Sequence, residues 1–467
     1  MGKEVTGKRI IGIETEYGLY VEGHSASDQM EDASEFIKCL PFSAFKGWDY
    51  SFESPRNDIR GFKVDKLAID PIDAQWDEGR KIPESQLRED RVLTNGARFY
   101  NDHGHPEYST PECSRLLDLV AHDLAGEKIV NDTAIEFEKK IGKRVKVYKN
   151  NSDFHGASYG THENYLVSRE VSKESLIQGL LPFLVVRQIL VGAGKVGSEV
   201  GKPCKYQISQ RSEFFHEVAN VETLYRRPIF NTRDEAHCDS QKWIRLHVIC
   251  GDANRMPWCT AMKTGMSKLA LDLIELGECP KWRIKNPVRE ISEISKDESY
   301  KWKIELEGSS WTTALEILES YLRCSEHFLK GRDNETDWII SEWRQALEDL
   351  PKDKYLLKDR VDWVAKLSLL EDFAFSEGKW KNDVMQSLDL EYHNIDKSES
   401  LFHSLQDMGL VKELVNDSRV QDAVTTPPQD TRAKIRGDLI RESLDNVKTV
   451  CWRRAILKDG SIQEFEV

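Results

Sequence analysis

Alternation of apolar and polar residues defines the first predicted strand of the chain. In RIIGIETEYGLYVE (residues 9–22), one face of an extended backbone carries Ile11, Ile13, Thr15 and Tyr17. The opposite face carries Gly12, Glu14, Glu16 and Gly18. The β-branched flanks favour a central strand whose carboxylate face looks into a site. An ordinary half-buried strand with solvent-facing glutamates gives the same pattern.

A second alternating segment, NGARFYNDHGHPEYSTPE (95–112), predicts a strand, a kink at a glycine and a short second strand. Arg98, Tyr100 and Asp102 share one face if the backbone is extended. Glu107 follows five residues after Asp102. Clustered carboxylates repel one another unless a positive charge lies between them, which a metal ion or Arg98 would provide. The alternative is a solvated polar edge strand.

Longer-period patterns predict the elements around these strands. Helices are predicted at Ser27–Leu40, from about Ser114, at Ser172–Val191, at Met256–Leu276, over most of 309–395 and at Asp438–Ser443. Further strands are predicted at Val145–Lys149, at Ser158–Val167 and at Val447–Lys458, the last with Trp452 in its middle. We predict an α+β fold with a catalytic domain over 1–395 and a small C-terminal domain over 396–467.

The interval from about residue 41 to 90 shows neither the strand period nor the helix period. It is dense in charge, proline and glycine, and long structureless segments inside compact domains are uncommon and usually functional or disordered. We predict a mobile lid beside the site, because the interval runs directly into the strand that carries Asp102. Its scattered aromatic residues, which include Trp48 and Tyr50, indicate that it docks part of the time.

Cationic strands in the second half of the chain complement the carboxylates. Arg245 and His247 alternate on one strand face. More cations precede them, at Arg211, Arg226, Arg227 and Arg233. This arrangement predicts a metal–triphosphate site, in which the carboxylates hold Mg²⁺ and the arginines bind phosphate oxygens. The alternative is surface charge pairing. His162 suits either a structural or a site role, and Trp452 suits a core or a purine-stacking position.

Composition excludes several classes of protein. The net charge of −14 and the pI near 5.5 argue against non-specific nucleic-acid binding. Nine cysteines without a C-x-x-C pair indicate reduced thiols. Neither a signal peptide nor a membrane span is predicted, so we expect a cytoplasmic protein. We also expect it to act as a monomer. The glycine-rich loop GAGKVGSEVGK (192–202) has neither the Walker nor the Rossmann spacing.

Seven motifs in register resemble the family of Pup ligases and depupylases, relatives of glutamine synthetase. They are GIETEYG (12–18), NGARFYNDHGHPEYSTPE (95–112), SYGTHENY (158–165), ISQR (208–211), RPIFNTRDEAH (227–237), RLHVICGDAN (245–254) and TTPPQDTRAKIRG (425–437). The resemblance implies a glutamine synthetase-like large domain with a mostly antiparallel curved sheet backed by helices. The long interval before Asn95 and the short spacing from Asp102 to Glu107 resemble the depupylase branch.

The resemblance also implies roles for individual residues. Mg²⁺ positions fall on Glu14, Tyr100 and Glu107, nucleotide positions on Arg98, Thr110 and Trp452, and the catalytic aspartate on Asp102. Glu16 and His162 are expected near the metal, and Arg245 and His247 near the nucleotide, since alternation places all four on the same sheet face.

The implied reaction is cleavage of the amide at the γ-carboxyl of the last residue of Pup, with bound ATP that is not turned over. Asp102 would attack directly or act as a base on water, and both routes stay open. Pup and pupylated proteins are the expected partners. The alternatives are the Pup ligase, a small-molecule carboxylate–amine ligase and a non-enzymatic Pup-binding module.

Overall fold

The computed structural model describes residues 8–68, 87–154, 156 and 158–466. Its strands are β1 Ile11–Glu16, β2 Gly18–Val21, β3 Ala44–Lys46, β4 Arg91–Leu93, β5 Arg98–Asp102, β6 His105–Ser109, β7 Val145–Tyr148, β8 Thr161–Ser168, β9 Lys195–Val196, β10 Tyr206–Gln207, β11 Glu217–Asn220, β12 Pro228–Asn231, β13 Trp243–Val248, β14 Lys303–Glu305, β15 Trp311–Thr313, β16 Val447–Val450, β17 Arg454–Leu457 and β18 Ile462–Glu464.

The helices of the same residues are mostly in the second half of the chain. They are α1 Gln29–Lys38, α2 Leu116–Ile141, α3 Lys173–Val186, α4 Gln188–Val191, α5 Pro257–Leu276, α6 Pro287–Ser295, α7 Ala314–Phe328, α8 Asn334–Asp349, α9 Asp362–Ser376, α10 Asn382–His393, α11 Leu401–Asp407, α12 Asp417–Thr425 and α13 Ala433–Ser443. Most helices lie inside the ranges that the sequence predicts. The predicted helix over 172–191 is divided at Arg187, where α3 ends and α4 begins.

A seven-stranded antiparallel sheet positions the candidate site, with the strand order β13-β8-β1-β6-β5-β4-β3. Burial along β1 alternates as predicted, with Ile11, Ile13 and Thr15 on the closed face. That face packs on helices, and the main core cluster joins Ile11 and Ile13 to residues of α2, α3 and α5. The α+β prediction with an antiparallel sheet backed by helices is therefore confirmed.

Close packing between α2 and β6 depends on a helical glycine. A Cβ atom at Gly126 would lie 2.2 Å from Cδ1 of Tyr108, far inside van der Waals contact. The Tyr108 hydroxyl in turn accepts a hydrogen bond from the side-chain amide of Asn95, 3.0 Å away. Helix α2 thus fixes the strand that carries Glu107 from its closed side.

The described part of the interval 41–90, residues 41–68 and 87–90, makes more contacts than the sequence predicts. Strand β3 pairs with β4 at the sheet edge, and Trp48 and Ile59 are buried. The backbone N–H of Ile59 donates to the carbonyl of Thr232 at 2.8 Å. Scattered apolar residues thus anchor the described first part without a regular period, and its movement as a lid stays a prediction. Residues 69–86 lie outside the described residues.

The C-terminal region also departs from the prediction. Residues 447–458 form a hairpin of β16 and β17, and Trp452 lies in the turn between them, where the N–H of Cys451 donates to the carbonyl of Arg454. The helix predicted at 438–443 begins earlier, at Ala433. Residues of the hairpin share a small hydrophobic cluster with Trp48. The domain boundary near residue 396 stays a prediction.

Candidate active site

Five neighbouring strands direct polar side chains to the open face of the large sheet. The antiparallel register places Glu16 opposite Glu107, and Tyr100 opposite the same Glu107. On the other side of β1, Glu14 lies opposite His162. Opposed residues on adjacent strands have Cβ atoms about 5 Å apart, so the register itself gathers these groups.

The first cluster holds three carboxylates. Glu16, Asp102 and Glu107 each offer an oxygen within 4.8 Å of the others. Burial, together with the charges of Asp102 and Glu14, raises the pKa of Glu107 well above its usual range. The Tyr100 hydroxyl donates to Glu107 Oε1 at 2.5 Å, and this hydrogen bond partly offsets the rise in the pKa of Glu107. A buried group of this kind is chemically suited to a hard divalent cation.

Asp102 differs from its neighbour in its ionisation. Burial alone would raise the pKa of Asp102, but the positive charges of His103, Arg88 and Arg98 together hold it below the ordinary value. The aspartate is therefore a carboxylate at neutral pH, in the form that attacks a carbonyl or accepts a proton from water.

The second cluster joins Glu14 to two imidazoles. His162 Nδ1 lies 3.5 Å and His247 Nε2 3.4 Å from Glu14 Oε2, while Arg245 Nη1 lies 3.3 Å from Oε1. Burial would raise the pKa of Glu14, but His162 and His247 hold it well below its usual value. Burial lowers the pKa of His247 to about 3, so its ring is neutral, as a metal ligand must be. Neither ring nitrogen of His247 makes a hydrogen bond of good geometry.

Arg98 is held tightly on the opposite side of the site. Its Nε and Nη2 donate to Asp90 Oδ1 at 2.8 and 2.6 Å, and its guanidinium carbon lies 3.9 Å from the centre of the Tyr100 ring. The Trp48 ring lies at 4.2 Å. Arg98 is consequently fixed before any ligand arrives.

A narrow, mostly apolar cleft opens beside Glu14. Its walls include Gly12, Thr110, His237, Arg432 and Trp452. The Thr110 hydroxyl accepts from the N–H of Ile13 at 3.0 Å, which fixes that side chain against β1. A slot lined by an indole and a backbone strand has the shape and chemistry that suit a planar heterocycle.

The predicted cations divide into two groups. Arg245 lies in the site, and Arg211 and Arg233 are largely buried, with Nε atoms that have no hydrogen-bond partner in the part of the chain that the structure describes. Arg227 is tied to the backbone, because its Nη2 donates to the carbonyl of Ser158. Arg226 is largely exposed and pairs with Glu217, so its expected place among the site cations is wrong.

Sequence reasoning missed an ion cluster that closes the cleft. Glu112 Oε1 accepts from Arg432 Nε at 2.6 Å and from Arg436 Nη1 at 3.2 Å. Arg436 also donates from Nε and Nη2 to the carbonyl of Gly96, at 3.0 and 2.8 Å. The i and i+4 spacing of the two arginines places them on one helical face, but only the fold supplies their partner.

Asp90 and Trp48 were also missed as parts of the site. Both fall in the interval whose pattern predicts no element, and although its aromatic residues indicate docking, no local pattern identifies Arg98 as their partner.

Known proteins match the chain over most of its length. The family model described as Pup-ligase protein matches residues 9–456. The depupylase of Acidothermus cellulolyticus is 36% identical over 462 residues, which cover 96% of this chain and 90% of that protein. The Pup–protein ligase of Nocardioides sp. is 39% identical over 394 residues, which cover 81% of this chain and 87% of that protein. The chain therefore belongs to the Pup-ligase protein family.

Solved structures of the family have the same fold. The complex between Pup and its ligase PafA superimposes with a TM-score of 0.81 at 30% identity, covering 99% of this chain and 88% of that one. PafA in complex with ADP gives 0.76 at 31% identity, covering 87% and 92%. Among the described residues, no helix is both long enough and apolar enough to cross a bilayer.

Proposed function

We propose that the protein is a depupylase and Pup deamidase. It hydrolyses the isopeptide bond between the C-terminal glutamate of Pup and a substrate lysine, and converts a C-terminal glutamine of Pup to glutamate. The match to a depupylase along 96% of the chain supports this reaction. We place the enzyme in the cytoplasm, since its nine free cysteines suit a reducing compartment.

The observation that carries the proposal is the ionised Asp102 among the carboxylates of the first cluster. Hydrolysis of an amide needs a nucleophile or a base at the carbonyl, and a lowered pKa keeps Asp102 ready for either role. Burial and the charges of Asp102, Glu14 and Glu16 raise the pKa of the neighbouring Glu107, and a bound cation would relieve that repulsion.

The residues of both clusters fit Mg²⁺. Glu107 is buried beside the half-buried Glu16 and Asp102, and its strongly raised pKa calls for a compensating charge. No lysine or arginine is hydrogen-bonded to Glu107 among the described residues. Glu14, Glu16, Tyr100, Glu107 and His162 would hold the ion. When bound, Mg²⁺ supplies positive charge that balances the carboxylates and polarises a nearby oxygen.

The cleft fits a nucleotide, because its lining suits a base and cationic residues are available for the phosphates. Trp452 and Thr110 line a slot for a base, while Arg98, Arg245 and His247 provide positive charge or donors for phosphate oxygens. The solved relative in complex with ADP supports nucleotide as the ligand class. Bound ATP supplies charge and order to the site, and we propose that it is not consumed.

The tetrahedral oxyanion of amide hydrolysis needs donors as well as a nucleophile. Arg98, fixed by Asp90, is preorganised for this purpose, and one good donor is worth about 3–4 kcal/mol of transition-state stabilisation. Because Asp90 and two rings hold Arg98 already, little reorganisation is required when the carbonyl becomes tetrahedral.

The test is incubation of the purified protein with a pupylated protein, Mg²⁺ and ATP. Release of free Pup without stoichiometric formation of ADP is expected. A ligase, the second candidate, is favoured by the 39% identity to a Pup–protein ligase. It would instead form conjugates from free Pup and a lysine-bearing protein with one ADP released per bond, and that result would overturn the proposal. Asp102→Asn is the control, and should be inactive in both assays.

A further inference from the structure

A row of rings and guanidinium groups crosses from the catalytic strand to the C-terminal hairpin. The Arg98 guanidinium lies between the rings of Tyr100 and Trp48, at 3.9 and 4.2 Å. The Trp48 ring meets Trp452 edge to face, with ring centres 5.2 Å apart and planes at 72°. The guanidinium of Arg436 lies 4.7 Å from the Trp452 ring. Trp48 therefore contacts both Arg98 and Trp452, which are 354 positions apart in the sequence.

Trp48 is itself held from two sides. Its indole Nε1 donates to Glu53 Oε1 at 2.8 Å. The backbone N–H of the next residue, Asp49, donates to the carbonyl of Val450 in the C-terminal hairpin at 2.9 Å. The side chain is only 9% exposed and packs in one cluster with Val450 and Ala455. A ring anchored in this way cannot shift without moving its neighbours.

We propose that Trp48 is a positioning residue that holds Arg98 and Trp452 in the relative arrangement that the nucleotide requires. The inference rests on the proposed nucleotide site, in which Trp452 faces the base and Arg98 the phosphates. Trp48 acts through those two residues and does not line the base cleft itself. Its ring gives Arg98 an electrostatic partner and gives Trp452 an aromatic edge, and both interactions restrict rotamers before binding.

The size of the effect follows from these two interactions. Loss of both a desolvated cation–π contact and an aromatic pair should lower the affinity for nucleotide roughly tenfold or more. Trp48→Leu removes the ring but keeps apolar bulk. Trp48→Phe keeps an aromatic ring beside Arg98 and Trp452 but loses the indole N–H that donates to Glu53. Trp311→Leu is the matched control, because Trp311 is 63% exposed on β15.

The experiment measures the dissociation constant of AMP-PNP with Mg²⁺ by calorimetry, together with the melting temperature of each variant. We expect Trp48→Leu to weaken binding about tenfold, Trp48→Phe to lose much less, and Trp311→Leu to bind as the wild type does. Trp48→Met, which also fills space without a ring, replaces the leucine variant if that variant does not fold. An unchanged dissociation constant in a folded, ring-less variant would overturn the proposal.

A double-mutant cycle separates positioning from a general loss of stability. If Trp48 acts through Trp452, then removing Trp48 in a Trp452→Leu background should weaken binding much less than in the wild type. Fully additive losses would overturn the proposal. Because the assay contains no Pup, a wild-type protein that binds AMP-PNP but cleaves no conjugate would contradict the proposed reaction alone.

Discussion

Glu112→Gln is expected to destabilise the region that joins the C-terminal helix to the catalytic strand. Arg436 and Arg432 lower the pKa of this partly buried carboxyl from 4.5 to about 2, overcoming a desolvation effect that alone would raise it. At about 1.4 kcal/mol for each pH unit, the difference of about 2.5 corresponds to roughly 3 kcal/mol of stability at neutral pH. A glutamine also leaves two buried guanidinium groups without their anion, a change that typically costs about 3–5 kcal/mol.

The pH dependence gives the sign of the effect. Since the folded pKa of Glu112 is depressed, its contribution is fully present above the unfolded value of 4.5 and is lost as the pH falls toward about 2. The wild type should therefore exceed Glu112→Gln in stability by a gap that is constant above about pH 6 and narrows below about pH 4.5.

The assay is hydrogen exchange of the backbone amides of α13 and β5 at several pH values, corrected for intrinsic exchange. Local exchange suits a chain of this size, because global unfolding of large proteins is rarely two-state. Asp430→Asn is a matched control, since its carboxylate is partly exposed and near Lys8 and Arg115. A gap that stays constant between pH 7 and pH 3 would refute the reasoning, because Glu112 would then not be the titrating group.

Three further predictions concern the site and its support. Asp102→Asn should abolish release of Pup on a gel while calorimetry shows nucleotide affinity changed by less than a few fold, since the proposed role of Asp102 is at the amide and not at the nucleotide. Glu14→Ala and Glu107→Ala should lose Mg²⁺-dependent nucleotide binding, and unchanged ATP affinity in both would disprove the metal assignment. Gly126→Ala should lower the melting temperature by several degrees, because overpacking against Tyr108 costs about 1–3 kcal/mol. An unchanged melting temperature would contradict that packing.

The local pattern predicts the strands of the site well. Period-two alternation placed Glu14 and Glu16 on one face of β1, and placed Arg98, Tyr100 and Asp102 together on β5. This works because strand geometry alone decides which side chains share a face. The pairing of β1 with β6 and β8, which brings the two faces into one site, is a non-local choice that no window of sequence contains.

The errors have a common physical origin. Trp48, Asp90 and Arg436 act through partners that lie outside any local period, and their burial depends on packing between segments far apart in the chain. The pattern predicts a strand through Trp452 because both of its flanks favour β structure, whereas β16 and β17 pair with each other and a backbone hydrogen bond from Cys451 to Arg454 closes the turn between them. Charge density in the interval 41–90 hid the few apolar anchors.

The contact between Arg436 and the carbonyl of Gly96 has a consequence for biosynthesis. The two residues are separated by 340 positions, so the turn before the catalytic strand lacks its partner until nearly the whole chain has left the ribosome. At roughly 5–20 residues per second, that delay is on the order of 15–70 s. Nascent chains therefore carry Asp102 long before the helix that braces its strand exists, and an mRNA truncated ahead of residue 433 yields a protein with an unbraced catalytic strand. Synthesis past Arg436 thus becomes a condition for bracing the strand.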